Sequence, residues 1–152
     1  MTSPAFSDLC GRLLAIDPAG EAIQFADRWY SWGWVQNVAR AVQEQLGSTV
    51  GLAPVSFVPR NRPAALAGLV GLLAQPRTIR MIHAFQSPAA IGASIEQLGS
   101  PAVVLLEEDL TAEVRAVLER CGAAGITLDD GGARLAVPGR LPRRVDPAGA
   151  PT

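Results

Sequence analysis

Residues 60–62 read Arg-Asn-Arg, with Pro59 before them and Pro63 after. The apolar run APVSFV climbs to Val58, and the small-residue segment AALAGLVGLLA follows the turn. Two guanidiniums and an amide at a strand-to-helix turn could hold an anion. A helix start offers free N–H groups, and arginine adds charge-assisted bonds to phosphate. Arg60, Asn61 and Arg62 are therefore candidate anion-binding residues. Turn chemistry weighs against them. Phosphate-binding turns are rich in glycine so that backbone can approach, and this one has none. Pro63 also lacks an N–H. The residues favour a joining turn in which Asn61 bonds local backbone and both arginines are solvated.

His83 is the single histidine and ends an apolar run, RTIRMIHAF. Strand ends are where ligands bind in open α/β sheets, so His83, Phe85 and Gln86 are candidates for substrate or interface contact. No nucleophile or carboxylate stands beside His83 in sequence, which favours a structural role. Trp29, Tyr30, Trp32 and Trp34 could stack bases, but no basic groove accompanies them. Packing of a hairpin against the sheet is the expectation. Glu107-Glu108-Asp109 could bind a metal, yet such a triplet at a strand end more often forms a solvated turn. Asp129-Asp130-Gly131-Gly132 is hairpin-turn chemistry. Cys10 and Cys121 are far apart and have no metal-like spacing, so both are expected as reduced thiols and no metal site is expected.

All 13 cationic side chains are arginine. Without lysine the chain can supply no Schiff base, no lysine base and no phosphate-loop lysine. Net charge is −1, so no overall field would draw in nucleic acid or an anionic membrane. The 152 residues suit one domain, and a 49% hydrophobic content separates it from disordered chains. The start of the sequence lacks a basic leader, and no apolar run approaches the ~18 residues of a membrane span. A soluble, cytoplasmic chain is expected.

These side chains need elements to hold them. Residues 6–16 have the spacing of a short amphipathic helix, broken by Asp17-Pro18. AIQF and RWY form a hairpin around Ala26-Asp27. Ser31 caps a helix ending at Gly47. APVSFV is a strand, and Pro63 suits the first position of an almost wholly apolar helix stopped by Gln75-Pro76. RTIRMIHAF is a strand, and Ser87-Pro88 opens the next helix. AVVLL is a Val/Leu run as in a parallel strand buried on both faces. Thr111 caps a helix ended by Gly122, and GITLD and ARLAV close the fold. Strand-helix alternation from residue 53 predicts an α/β three-layer sandwich on a mostly parallel sheet, with an N-terminal helix and hairpin beside it. The domain is expected over 1–136, followed by a Pro/Gly/Arg-rich linker or tail over 137–152.

Helix, hairpin, tryptophan-bearing helix, strand and Arg-Asn-x-Pro helix follow in that order. The chain resembles the N-terminal subdomain of the adenylate-forming enzymes: acyl-CoA synthetases, luciferases and peptide-synthetase adenylation domains. The resemblance rests on Ala22 to Trp32 in the hairpin, Ala39-Arg40 and Leu46 in the next helix, Arg60 to Ala74, and the later strand Ala102 to Leu106. It covers roughly residues 6–136. Met81 to Pro88 departs from the Pro-Leu-Asn step common in the family, and Gln75-Pro76 stands where a glycine is usual. The family's Ser/Thr/Gly-rich phosphate loop with its lysine is missing, as are the Tyr-Gly-x-Thr-Glu and Thr-Gly-Asp segments and the C-terminal domain.

The resemblance implies a piece of a ligase that would use ATP, Mg²⁺ and coenzyme A to activate a fatty or aromatic acid. This chain alone would bind none of these and contributes no catalytic residue. Its implied partner is the remainder of the enzyme, in the same or a separate chain, with self-association through an exposed apolar face as a further expectation. The alternative is a non-catalytic α/β interaction module of the same architecture.

Overall fold

The structure, a computed structural model, describes residues 5–140. Of the tail expected over 137–152, residues 141–152 lie outside them. Helix α1 (Phe6–Leu13) precedes a hairpin of β1 (Glu21–Phe25) and β2 (Arg28–Ser31), then α2 (Trp32–Thr49). Next come β3 (Val55–Val58), α3 (Pro63–Leu73), β4 (Ile79–Met81), α4 (Pro88–Leu98) and β5 (Ala102–Leu106). A single 3-10 turn (Glu107–Asp109) leads to α5 (Ala112–Cys121), β6 (Ala124–Asp129) and β7 (Gly132–Pro138). The main sheet has the order β4-β3-β5-β6-β7, parallel except for β7.

The layers follow from side-chain parity. Alternate residues of a strand face opposite sides. In β5, Ala102, Val104 and Leu106 join a core with Phe57, Ile126, and Val42 and Leu46 of α2 and Leu72 of α3. Val103 and Leu105 join the opposite core with Ile91 and Ile95 of α4 and Val114 and Leu118 of α5. Both sides of β5 are therefore covered, which is why its sequence is an unbroken apolar run. A third cluster, Val35, Val38 and Ala67 with Ile23 and Trp32, fixes the hairpin to α2 and α3.

The expected caps are present. Ser31 Oγ accepts from the Trp34 N–H (3.1 Å), Ser87 Oγ from Ala90 (3.2 Å) and Thr111 Oγ1 from Val114 (3.2 Å). Several boundaries differ. Helix α2 runs through Gly47 to Thr49, and the left-handed turn sits at Gly51, whose N–H reaches back to the Leu46 carbonyl (2.9 Å). Strand β4 stops at Met81, because Ile82 and Ala84 turn into the α4/α5 core. Strand β7 continues past the expected end of the domain at residue 136 through Pro138, and the Arg140 N–H then bonds the Gly122 carbonyl (2.8 Å). Among the described residues no helix is long and apolar enough to cross a membrane.

The β1–β2 turn places Ala26 at φ 50° and Asp27 at φ 61°. Both central residues of a type I′ hairpin turn need positive φ. Aspartate tolerates this, but alanine loses about 1 kcal/mol there. Ala26→Gly is therefore expected to stabilise the fold by up to about 1 kcal/mol, read as a higher urea midpoint. An unchanged or lower midpoint would contradict the turn geometry.

Candidate functional site at the carboxyl edge of the sheet

From β3 the chain crosses through α3 to β4 on one side. From β5 it crosses through α5 to β6 on the other. Adjacent parallel strands whose connections diverge leave a crevice at their carboxyl ends, the usual ligand position in open α/β sheets. Here side chains fill it. Arg60 leaves the end of β3, and Asp109 lies in the 3-10 turn after β5. Arg60 Nε donates to Asp109 Oδ2 (2.9 Å) and Oδ1 (3.1 Å), and a terminal nitrogen donates to Oδ1 (2.7 Å). Asp109 is only 5% exposed. Its hydrogen bonds hold the Arg60 guanidinium above its ordinary pKa, outweighing the opposing effect of desolvation, with the charges of Asp109 and Glu108 adding to the rise.

Phe85 lies under the same guanidinium, 5.6 Å from ring centroid to Cζ, and the His83 ring is 5.7 Å from Phe85. The structure thus brings Arg60, His83 and Phe85 to one corner. His83 and Phe85 are exposed there, and Gln86 is half-buried. Arg62 points elsewhere. It sits 5.9 Å from the Phe25 ring and 3.7 Å from Glu108. The Arg62 N–H turns back to the Arg60 carbonyl (2.8 Å), and Asn61 is exposed. The partner of Arg60 is thus a carboxylate of the chain itself.

Beside this corner, a cleft of about 600 Å³ opens between the hairpin and the ends of β5 and β6. Phe25 and Tyr30 form one wall, Arg62 to Ala64 a second, and Leu106 and Leu128 line it from the strand ends. Glu107, Glu108, Asp129 and Asp130 ring it. Glu107 pairs with Arg134 (3.1 Å). The carboxylates outnumber the arginine in the lining, so this cleft disfavours a polyphosphate. Among the described residues, no group of three or more His, Cys, Asp or Glu is placed to hold a metal ion. Both cysteines are free, with Cys10 buried and Cys121 exposed.

The four aromatic residues divide. Tyr30 and Trp34 pack with centroids 4.5 Å apart, and Trp34 Nε1 donates to the Asp130 carbonyl (2.9 Å). Trp32 joins the hairpin cluster, whereas Trp29 is half exposed. The sequence reading missed Asp109, taking the acidic triplet as solvated throughout. Nothing in the letters Glu-Glu-Asp says which member a 3-10 turn aims inward.

No protein-family model matches the sequence, and no curated protein matches it. Solved structures do match the fold. Apo MatB from Rhodopseudomonas palustris superposes with a TM-score of 0.64 at 17% identity, over 86% of this chain and 27% of its own. The luciferase-like enzyme of the Zophobas morio mealworm gives 0.63 at 14% identity, over 82% and 31%. The anthranilate CoA ligase AuaEII, solved with anthranoyl-AMP, gives 0.58 at 16%, over 78% and 23%. The chain therefore spans only about a quarter to a third of the length of these proteins. Its fold is thus the one that part of each of these ligase and luciferase-like structures has.

Proposed function

We propose that the chain is the N-terminal portion of an ATP-dependent, acyl-CoA synthetase-like carboxylic acid ligase. In the complete enzyme a carboxylate oxygen would attack the α-phosphorus of ATP, with Mg²⁺ present, and pyrophosphate would leave. The thiol of coenzyme A or of a carrier would then attack the acyl carbon, forming the thioester and releasing AMP. This chain would supply one wall of the large domain and no catalytic group. Arg60 and Asp109 would fix that wall by closing the switch point. His83, Phe85 and Gln86 are the residues it offers to a substrate pocket or a subunit contact. A fatty or aromatic acid and a cytoplasmic location belong to the same proposal.

The observation that carries this reading is the fold match over most of the chain but a minor part of each matched protein. The absence of any lysine from the chain fits a phosphate loop lying elsewhere. The test begins downstream in the genome, with a segment encoding a Ser/Thr/Gly-rich Pro-Lys-Gly loop. Calorimetric titration of this chain alone with ATP should give no binding heat. Adding or fusing that segment should produce acid-dependent exchange of pyrophosphate into ATP. A folded complex that cannot exchange pyrophosphate would favour the second reading, a non-catalytic interaction module, for which the filled switch point is the supporting observation.

A further inference from the structure

Tyr30 lines the cleft between the hairpin and the ends of β5 and β6, and it is only 7% exposed. Its ring is covered. Trp34 packs on it with centroids 4.5 Å apart, and the Arg28 guanidinium lies 4.5 Å from the ring centroid. The hydroxyl is left over. Among the described residues it has no hydrogen-bond partner, yet its oxygen is not sealed inside the protein. A buried tyrosine hydroxyl normally finds a partner. This one is nine-tenths enclosed, unpartnered and open to the cleft that its side chain lines.

The charges around the cleft are also incompletely matched. Glu107 pairs with Arg134 (3.1 Å), and Glu108 approaches Arg62 (3.7 Å). Asp129 and Asp130 have no ion pair among the described residues. Asp129 Oδ1 accepts only from the Gly131 N–H (2.7 Å), and Trp34 Nε1 takes the Asp130 carbonyl and not its carboxylate. Trp34 packs on Tyr30 as well, so it holds the turn at 129–130 near that tyrosine. Two uncompensated carboxylates and a free hydroxyl therefore share a cleft with the buried side chains Leu106 and Leu128. Carboxylates accept strongly from a cationic N–H, and a hydroxyl oxygen can accept from the same group.

We propose that this cleft binds a small organic ammonium ion with an apolar body, of the arylalkylamine class. The ammonium group donates to the Tyr30 hydroxyl and to the carboxylates of Asp129 and Asp130. The body lies on Leu106 and Leu128 beside the Phe25 ring. A volume of about 600 Å³ is that of a small-molecule site. A metal ion would leave the apolar lining unused, and no group of three or more metal-ligating side chains is placed to hold one among the described residues. A basic polypeptide would find the exposed aspartates, but the enclosed hydroxyl calls for a ligand that enters the cleft. The proposal uses only side chains of this chain and stands apart from the ligase reading.

The experiment titrates the full chain with phenethylamine and follows amide shifts by NMR. The isosteric anion 3-phenylpropionate and the peptide tetralysine are titrated in parallel. Saturable binding of phenethylamine is expected, with a millimolar or tighter Kd, and shifts centred on Tyr30 and residues 129–131. Tyr30→Phe keeps the ring and removes the hydroxyl, and should weaken binding about threefold to tenfold. Its urea midpoint should not fall, because no bond within the protein is lost. A lower midpoint would reveal an internal partner for the hydroxyl and count against the site. Asp129→Asn with Asp130→Asn should weaken binding on the order of tenfold or more, and provides a second variant should Tyr30→Phe fail to fold. Equal binding of 3-phenylpropionate would reduce the cleft to apolar adsorption and overturn the proposal. Binding of tetralysine without phenethylamine would assign the rim to a basic polypeptide and overturn it too. No binding of phenethylamine, or binding that neither variant weakens, would overturn it outright.

Discussion

Gly71→Ala should destabilise the protein by about 2–3 kcal/mol, although alanine is the better helix former by about 1 kcal/mol. Helices α2 and α3 cross at this glycine. A Cβ there would lie 2.5 Å from the Ala39 carbonyl oxygen and 2.9 Å from Ala39 Cα. Both are backbone atoms, so no side-chain rotation relieves the clash and the helices must separate. Separation also strains the bond from Gln43 Nε2 to the Gly71 carbonyl (3.0 Å) and loosens the cluster of Val35, Val38 and Ala67. Gly47, in the last turns of α2, has no atom within 4 Å of such a Cβ. Gly47→Ala should therefore stabilise, by up to about 1 kcal/mol. Urea midpoints moving in opposite directions would establish the contrast. A Gly71→Ala protein as stable as its parent would disprove the close crossing.

Removing the Arg60 side chain should cost about 3 kcal/mol. Asp109 would stay almost wholly buried and lose its charged partner. Breaking one half of a buried pair leaves the other charge uncompensated, which costs more than the pair was worth. Arg60 is partly open to solvent, so the lower end of the usual range applies. Arg60→Lys keeps the charge but not the two-nitrogen fork, and should recover only part of the loss. Arg60→Met combined with Asp109→Leu should be more stable than either single removal. A double-mutant cycle in urea measures the coupling, and additive single effects would mean that the pair does not fasten the switch point.

Much of this architecture was legible because its signals are local. Ser31, Ser87 and Thr111 cap helices through a hydroxyl three residues from the N–H it accepts, and Pro63 and Pro88 begin helices by fixed φ. The run from Ala102 to Leu106 announces a strand covered on both faces. The sheet's parallel character follows from the alternation of elements. Signals failed where the deciding contact is distant. Apolar letters continue past Met81, but Ile82 and Ala84 serve the α4/α5 core and not the strand. Gly47 resembles a helix terminus until Gly51 is seen to take the left-handed turn. The candidate corner was half legible: the turn at 60–62 and the loop at 83–86 were singled out, but the acidic triplet holding the carboxylate that joins them to β5 was expected to be solvated. A bond spanning 49 residues leaves no periodic trace.

The placement of β5 beside β3 also bears on the order in which the chain assembles. β3 finds β4 within one crossover, and β6 finds β7 across a tight turn. β3 meets β5 only after a second crossover has carried the chain back past it. Closing so long a loop is the slow kind of step in folding. The Arg60–Asp109 clamp cannot form before it, so the clamp should appear late and chiefly slow unfolding. During synthesis, the lasting vulnerability of this chain would thus be the interval in which β3 has emerged and β5 has not.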